Sequence, residues 1–307
     1  MSTSSLSTRQ SQDDETARLE LEAVLADIDA NPWPTDIGEA RILYDKMGPP
    51  MAADIRAEQY LLGGVPAQTL TPPESDADRL VLFLHGGGYT YGSYLSHQGM
   101  AAEVARAARC KCVQPNYRLS PENPYPAGVE DVRAAYEALL AEGWAPKKIA
   151  FVGDSAGAGM AMSALLALKE AGRPLPGAAV CISPWVDLES NGESFRTHQS
   201  IDPMIDRELC LRLAKDYCRD IEPSSPRVSA IHGDLAGLPP MLVQVGEREV
   251  LLSDAETLAD RARAASVDVM FEKWPQMVHV WHLYFHMLGK GREAIARVGA
   301  FVKEKTS

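Results

Sequence analysis

Short apolar runs alternate with helical stretches from residue 79 onward, and this alternation constrains the fold more than any other feature of the sequence. The apolar runs are typical of buried strands, and the stretches between them have the length and periodicity of helices. Such alternation predicts a mostly parallel central sheet flanked by helices on both faces. The predicted strands are 79–85, 111–118, 148–154, 177–183, 239–246 and 268–274, and the predicted helices are 97–109, 128–141, 156–171, 254–265 and 291–304.

Two segments lie outside this alternation. Residues 1 to about 12 are polar and predict a disordered leader, followed by a helix whose apolar face consists of Leu21, Val24, Leu25 and Ile28. Residues 185–235 contain a helical stretch of their own and are too long for a plain loop. Neither segment has a core, so we expect both to form a helical cap over one body. The predicted division is an N-terminal segment 1–50, a first core part 51–184, a cap insertion 185–235 and a second core part 236–307.

The composition excludes several classes of protein. With 46% hydrophobic and 23% charged residues, the 307-residue chain is typical of a packed globular body. A net charge of −12 disfavours nucleic acid and anionic membranes as partners. The chain lacks a secretory apolar run at its start and a stretch of 18 apolar residues, which predicts a cytoplasmic location without membrane insertion. Five cysteines without CxxC spacing disfavour a disulfide framework or a structural zinc site. We expect no cofactor and no metal.

A Gly-Asp-Ser-Ala-Gly turn at 153–157 joins a predicted buried strand to a helix rich in Ala and Leu. A strand, a Gly-x-Ser-x-Gly turn and a helix, in this order, are the context of a nucleophile elbow. The motif alone also occurs in ordinary strand-helix loops, and its flanking elements favour the catalytic interpretation. Ser155 is therefore the candidate nucleophile.

A second glycine-rich segment, His85-Gly86-Gly87-Gly88, follows the predicted strand 79–85. Consecutive glycines leave backbone N–H groups uncovered, and such groups can stabilise an oxyanion. The alternatives are a flexible turn or a phosphate-binding loop, but the phosphate-binding patterns are absent. We expect the N–H groups of Gly87, Gly88 and Ala156 to form an oxyanion hole.

A serine nucleophile needs a base, and three histidines follow the last predicted strand. His279 lies in the loop directly after that strand, whereas His282 and His286 are spaced as on the next helix. We take His279 as the base and His282 as the reserve candidate. No His-Glu-x-x-His pattern supports a zinc site there.

The third member of such a triad is an acid located between the serine and the histidine in sequence. Glu249 and Asp254 both follow the predicted strand 239–246. Asp254 suits the N-cap of the next helix, so Glu249 is the first candidate and Asp254 the second.

These motifs resemble the bacterial hormone-sensitive-lipase family, or family IV esterases, of the α/β-hydrolase fold. The resemblance covers residues 80 to 290 and includes the stretches 85–88, 117–122, 125–127, 153–157, 183–185 and 278–280. Members have a cap and hydrolyse short-chain esters with Ser, His and an Asp or Glu. Where many have Asp-Pro-Leu-x-Asp-Glu, this chain begins the corresponding stretch with Glu249, and the interval from Glu249 to His279 also resembles that of the family.

The resemblance implies further roles. His85 would support the glycine loop, while Asp154 and Glu122 would belong to the network that holds the elbow. Many members form dimers through the last edge of the sheet, so a homodimer is an expectation here.

The function predicted from these residues is hydrolysis of a small-molecule carboxylic ester by a serine carboxylesterase. Short to medium acyl chains are expected, because the cap segments lack a long apolar face. Two alternatives remain: a catalytically silent receptor for a small ligand, and an amidase or lactonase that uses the same triad.

Overall fold

The structure, a computed structural model, describes residues 3–32, 34–76 and 78–307. These residues form an eight-stranded sheet with the order β1-β2-β4-β3-β5-β6-β7-β8. The first two strands are antiparallel to their neighbours, and all other pairs are parallel. The strands are β1 (Arg56–Leu62), β2 (Val65–Thr71), β3 (Leu80–Leu84), β4 (Lys111–Pro115), β5 (Ile149–Asp154), β6 (Ala178–Ile182), β7 (Met241–Gly246) and β8 (Val269–Trp274).

Helices cover both faces of the sheet. On one face α3 and α9 pack on a core that includes Val81 and Val152, and on the other α4, α5 and α8 pack on a core that includes Leu82 and Phe151. The helices are α1 (Thr3–Ala30), α2 (Ile37–Met47), α3 (Tyr94–Ala108), α4 (Ala127–Ala141), α5 (Ala156–Glu170), α6 (Ser194–Thr197), α7 (Arg207–Cys218), α8 (Leu252–Ala264) and α9 (Gly289–Lys305). The predicted α/β-hydrolase architecture is confirmed.

The central strands owe their continuous apolar sequence to this two-sided burial. Every residue of β3 and β5 is buried, and successive side chains enter opposite core layers. The buried parallel strands end at one edge of the sheet, where the loops after β3, β5, β6, β7 and β8 converge. This edge carries the candidate site.

The sheet begins earlier than predicted. The sequence was assigned no strand before residue 79, but β1 and β2 form a hairpin at its edge. Their connection is Gly63-Gly64, with φ angles of 60° and 84°. Two residues with positive φ are what a two-residue type I′ hairpin turn requires, so the Gly-Gly pair was the available signal.

The N-terminal helix also begins earlier than predicted. Residues 1 and 2 of the expected disordered leader lie outside the described residues, but the backbone is helical from Thr3, so the leader prediction is wrong for residues 3–12. Neither proline nor glycine occurs in residues 1–30 to end the helix. Leu21 and Val24, on the predicted apolar face, pack with Trp281 and Leu288 of the main body.

No helix in the described part of the chain has both the length and the apolar character needed to cross a membrane.

Candidate active site

Ser155 occupies a sharp turn between β5 and α5. Its φ of 52° and ψ of −124° are unusual for a residue with a side chain, as expected at a nucleophile elbow. Gly157 is required by close approach, because a Cβ there would lie 2.1 Å from the carbonyl oxygen of Leu84. The Ser155 N–H donates to the carbonyl of Ile182 at 2.8 Å, which fixes the turn against β6.

The three residues predicted as a triad lie in one hydrogen-bonded chain. His279 Nε2 is 3.0 Å from Ser155 Oγ, and His279 Nδ1 is 2.9 Å from Glu249 Oε2. Because the carboxylate can only accept, the proton of the neutral ring is on Nδ1, and Nε2 accepts from the Ser155 hydroxyl. All three side chains are buried.

The second carboxylate oxygen of Glu249 is held separately. Glu249 Oε1 accepts hydrogen bonds from the Ser183 hydroxyl at 2.8 Å and from the Gly246 N–H at 2.5 Å. Ser183 Oγ in turn accepts from the Val280 N–H at 3.1 Å. Ser183 therefore links Glu249 to the loop that carries His279.

Sequence reasoning did not identify Ser183 as part of this network. It entered only as the first residue of the family motif 183–185. Its position directly after β6, at the same edge of the sheet as Ser155, was the signal that could have identified it.

The environment shifts the pKa values of the acid and the base. Burial raises the pKa of Glu249, and hydrogen bonds from His279, Gly246 and Ser183 oppose this increase. Burial lowers the pKa of His279, but the hydrogen bond to Glu249 and its negative charge more than offset this effect, so the pKa is raised above its usual 6.5. The acid therefore stabilises the protonated imidazole.

The glycine loop borders the same space as Ser155. Gly87 and Gly88 line a cavity together with Ser155 and His279, and Ala156 is the first residue of α5. Among the described residues, none accepts a hydrogen bond from the N–H of Gly87, Gly88 or Ala156. These three groups are thus available to a negatively charged oxygen near Ser155.

His85 and Asp154 hold this loop from behind. Burial lowers the pKa of His85 to about 4, so the ring is neutral, and its Nδ1 donates to the Gly86 carbonyl at 2.8 Å. Asp154 accepts from the Gly86 N–H at 3.1 Å and lies 3.2 Å from His97 Nε2. Asp154 therefore connects the elbow to the glycine loop.

The expected role of Glu122 is wrong. Its side chain is 57% exposed and accepts two hydrogen bonds from Arg41 of α2, at 2.8 and 2.9 Å, instead of contacting the elbow. Arg41 also donates to the carbonyls of Thr90 and Ser120. Glu122 thus supports an arginine that fastens α2 to the segment after the glycine loop. The sequence could not show this pairing, because the two residues are 81 positions apart.

The reserve candidates do not join the chain of Ser155 and His279. His282 lies in a 3₁₀ turn, donates from Nε2 to Gln244 at 2.8 Å, and has its pKa lowered to about 3 by burial. Asp254 accepts from the N–H groups of Val186 and Asp187, at 3.0 and 2.9 Å, and does not cap its own helix. Burial raises its pKa to about 8.

Asp202 is a further buried acid that the sequence did not single out. One of its carboxylate oxygens accepts from the Val250 N–H at 2.9 Å, and the other accepts from the N–H groups of Met204 and Ile205. Met204 and Ile205 line the cavity at Ser155. Asp202 thus fastens part of the predicted cap to the turn that carries Glu249.

The candidate cavity has a volume of about 260 Å³ and lies between the sheet edge and the predicted cap segments. Its walls include Pro34, Tyr44, Trp185, Met204, Ile205, Leu209, Leu213 and Leu251. A second cavity of about 740 Å³ shares Tyr44 and Met204 with it and extends along α1 and α2.

One cluster could offer ligands to a metal ion. Side-chain atoms of Asp187, Glu189 and His232 lie within 4.8 Å of one another. The carboxylates of Asp187 and Glu189 lie 3.9 and 3.6 Å from His232 Nε2, and Asp187 is buried whereas His232 is exposed. None of the three lines the cavity at Ser155.

A mostly parallel sheet with helices on both faces and a Ser-His-acid chain at its carboxyl edge is typical of the α/β hydrolases. Comparison with known proteins agrees, because residues 81–283 match the family described as the alpha/beta hydrolase fold. A crystal structure of an esterase from the bacterial hormone-sensitive lipase family is 44% identical, covers 94% of this chain and 98% of that one, and gives a TM-score of 0.92.

Two similar proteins have names that describe ester hydrolysis. An acetyl-hydrolase of Streptomyces hygroscopicus is 43% identical over 297 residues, which cover 94% of this chain and 97% of the relative. An esterase of Acinetobacter venetianus is 32% identical over 82% of this chain and 83% of its own. The chain belongs to the bacterial hormone-sensitive lipase family of α/β hydrolases, and it is a carboxylic ester hydrolase.

Proposed function

We propose that the protein hydrolyses short- to medium-chain carboxylic esters through an acyl-enzyme intermediate on Ser155. Ser155 Oγ attacks the ester carbonyl carbon while its proton moves to His279 Nε2. The tetrahedral intermediate then expels the alcohol, which takes the proton from His279. A water molecule attacks the acyl-enzyme in the same way, and the carboxylic acid leaves with Ser155 restored.

Charge develops in two places during these steps, and each has a partner. The carbonyl oxygen becomes negative near the N–H groups of Gly87, Gly88 and Ala156, which have no other acceptor among the described residues. The imidazole of His279 becomes positive next to Glu249, at 2.9 Å. Glu249 orients the ring and stabilises its charge without itself taking the proton.

The observation that carries the proposal is the unbroken chain from Ser155 Oγ to Glu249. Its two contacts of 3.0 and 2.9 Å are within hydrogen-bond reach without any movement. A catalytically silent receptor does not need these hydrogen bonds between Ser155, His279 and Glu249. Membership of a family of ester hydrolases also does not support the receptor alternative.

Replacing Ser155 tests the proposal. We expect Ser155→Ala to lower kcat for p-nitrophenyl butyrate by roughly 10⁴-fold or more, since the members of a triad act as one unit. Ser163→Ala is the matched control, because Ser163 is a buried serine of α5, the helix that follows Ser155, and lies outside the triad. Near-normal hydrolysis by Ser155→Ala would contradict the proposal, as would an equal loss in the control.

The preference for short to medium acyl chains is supported by the cavity of about 260 Å³ at Ser155, which is small and largely apolar. A series of p-nitrophenyl esters tests it, with kcat/KM expected to peak at short to medium chains. A peak at long chains would contradict it. Matched ester and anilide substrates separate esterase from amidase action, and the proposal predicts faster ester turnover.

A further inference from the structure

One charged residue without a recorded partner, Arg212, lies in the wall of the cavity at Ser155. Among the described residues, the lining includes aromatic, aliphatic and glycine residues but no carboxylate. Of these lining residues only Arg212 is basic, apart from His279, whose ring nitrogens are engaged by Glu249 and Ser155. Arg212 is therefore the described lining residue that carries a permanent positive charge.

Arg212 lies on α7, next to Leu213, which contacts Gly88. Its side chain is exposed and makes neither an ion pair nor a hydrogen bond with any residue that the structure describes. Two nearby arginines differ in this respect, because Arg207 donates to Ser190 and Asn191 and Arg41 pairs with Glu122. The five N–H donors of Arg212 are thus available to a molecule in the cavity.

A free guanidinium in this place has a defined chemical preference. It matches a carboxylate in charge and in geometry, and such charge-assisted hydrogen bonds are stronger than neutral ones. The chain as a whole carries a net charge of −12, which repels anions at long range. Arg212 therefore offers a local attraction at the wall of the cavity that opposes this long-range repulsion.

We propose that Arg212 binds a carboxylate on the substrate, so that the preferred substrates are esters with a negatively charged group. This inference rests on the proposed ester hydrolysis at Ser155 and adds the substrate class. The carboxylate can belong to the acyl part or to the alcohol part of the ester. Arg212 would recognise the same carboxylate in either position, and substrates charged in one part or the other distinguish the two positions.

Two pairs of substrates test the proposal. For the acyl part, the mono-p-nitrophenyl ester of adipic acid is compared with p-nitrophenyl hexanoate. For the alcohol part, 4-acetoxybenzoate is compared with phenyl acetate. The readout is the ratio of kcat/KM for the anionic ester to kcat/KM for its neutral partner. Comparing this ratio between variants removes the intrinsic reactivity of each ester.

We expect Arg212→Gln to lower this ratio by about tenfold for at least one pair. A change of this size corresponds to the loss of one hydrogen-bonded ion pair at a partly solvated site. Arg212→Lys should retain part of it. Arg219→Gln is the control, because it removes the same charge from an exposed arginine that lines a different groove. The pair that responds identifies the part of the ester that carries the charge.

Two results would overturn the inference. The ratio could stay unchanged in Arg212→Gln for both pairs, even if the two esters of each pair are slowed equally, or it could fall equally in Arg219→Gln. In both cases the neutral ester is still hydrolysed by the unmodified enzyme. Failure of the unmodified enzyme to hydrolyse any of the four esters would instead refute the proposed function.

Discussion

Glu249 uses its two carboxylate oxygens for different purposes. Oε2 holds His279, and Oε1 is held by Ser183 and Gly246. Because Ser183 also binds the Val280 N–H, one hydroxyl controls the distance between the acid and the histidine loop. Ser183 is a positioning residue in this account, since it acts on Ser155 only through Glu249 and His279.

Removing the Ser183 hydroxyl should impair catalysis more than binding. We expect Ser183→Ala to lower kcat by about tenfold to a hundredfold, the equivalent of a hydrogen bond to a charged group, with little change in KM. Steady-state kinetics on p-nitrophenyl butyrate check this, with Ser163→Ala as the control. An unchanged kcat, or a loss expressed only in KM, would refute the positioning role.

The raised pKa of His279 gives a prediction about pH. Only the neutral imidazole can accept the Ser155 proton, so kcat/KM falls as the pH drops through this pKa. Since the pKa lies above 6.5, we expect the acid limb of the profile to have its midpoint above pH 6.5. Glu249→Gln removes the negative charge and should move the midpoint to lower pH, with a roughly 10³-fold or greater loss of kcat. A midpoint that does not move in this variant would contradict the pairing.

At this scale the sequence predicted the residues that belong to short motifs. Ser155, His279 and Glu249 each follow a predicted strand, and strand ends meet at one edge of a parallel sheet. Contacts between distant segments had no such signal. Ser183 and Glu249 are 66 positions apart. The error about Glu122 arose because its partner, Arg41, lies 81 positions away in α2.

Helix α7 packs against the glycine loop and the residue that follows it. Tyr217 stacks on Tyr89, with ring centroids 3.9 Å apart. One turn earlier, Leu213 lies so close to Gly88 that a Cβ there would be 2.4 Å from its Cδ1. The Tyr125 N–H donates to the Tyr217 carbonyl at 2.9 Å and so fixes the carboxyl end of α7. The conformation of the glycine loop therefore depends on α7.

Two substitutions of Tyr217 separate packing from hydrogen bonding. Its buried hydroxyl has no partner among the described residues, so we expect Tyr217→Phe to leave the free energy of unfolding unchanged or to raise it. Tyr217→Ala removes the stacked ring and should cost about 3–5 kcal/mol and lower kcat. Urea denaturation and kinetics check both variants. A large loss of stability in Tyr217→Phe would show that the hydroxyl is engaged.

The elements themselves were predicted where periodicity was strong. All six predicted strands are present, and so are the five predicted helices, with ends that differ by a few residues. The β1–β2 hairpin was missed because β1 lies at the edge of the sheet and is largely exposed, so its sequence lacks a continuous apolar run. The Gly63-Gly64 turn was the signal that remained.

On the scale of the whole molecule, the cavity is formed where distant parts of the chain meet. Tyr44 comes from the N-terminal segment, Leu213 from the insertion, and Ser155 and His279 from the sheet edge. The sequence indicated the two segments outside the sheet, because they interrupt its alternation. It could not give the volume or the charge of the cavity, which depend on how side chains from these segments pack together. A homodimer through the edge of β8 stays a prediction.

In the proposed mechanism Ser155 carries the acyl group during turnover. Mass spectrometry of enzyme quenched during turnover of p-nitrophenyl butyrate, followed by proteolysis, detects this acyl group. We predict one butyryl group on the peptide that contains Ser155, absent from Ser155→Ala and present in Ser163→Ala. Stoichiometric labelling of Ser155 by a fluorophosphonate should block the reaction. Full turnover by enzyme whose Ser155 is completely labelled would show that Ser155 is not the nucleophile.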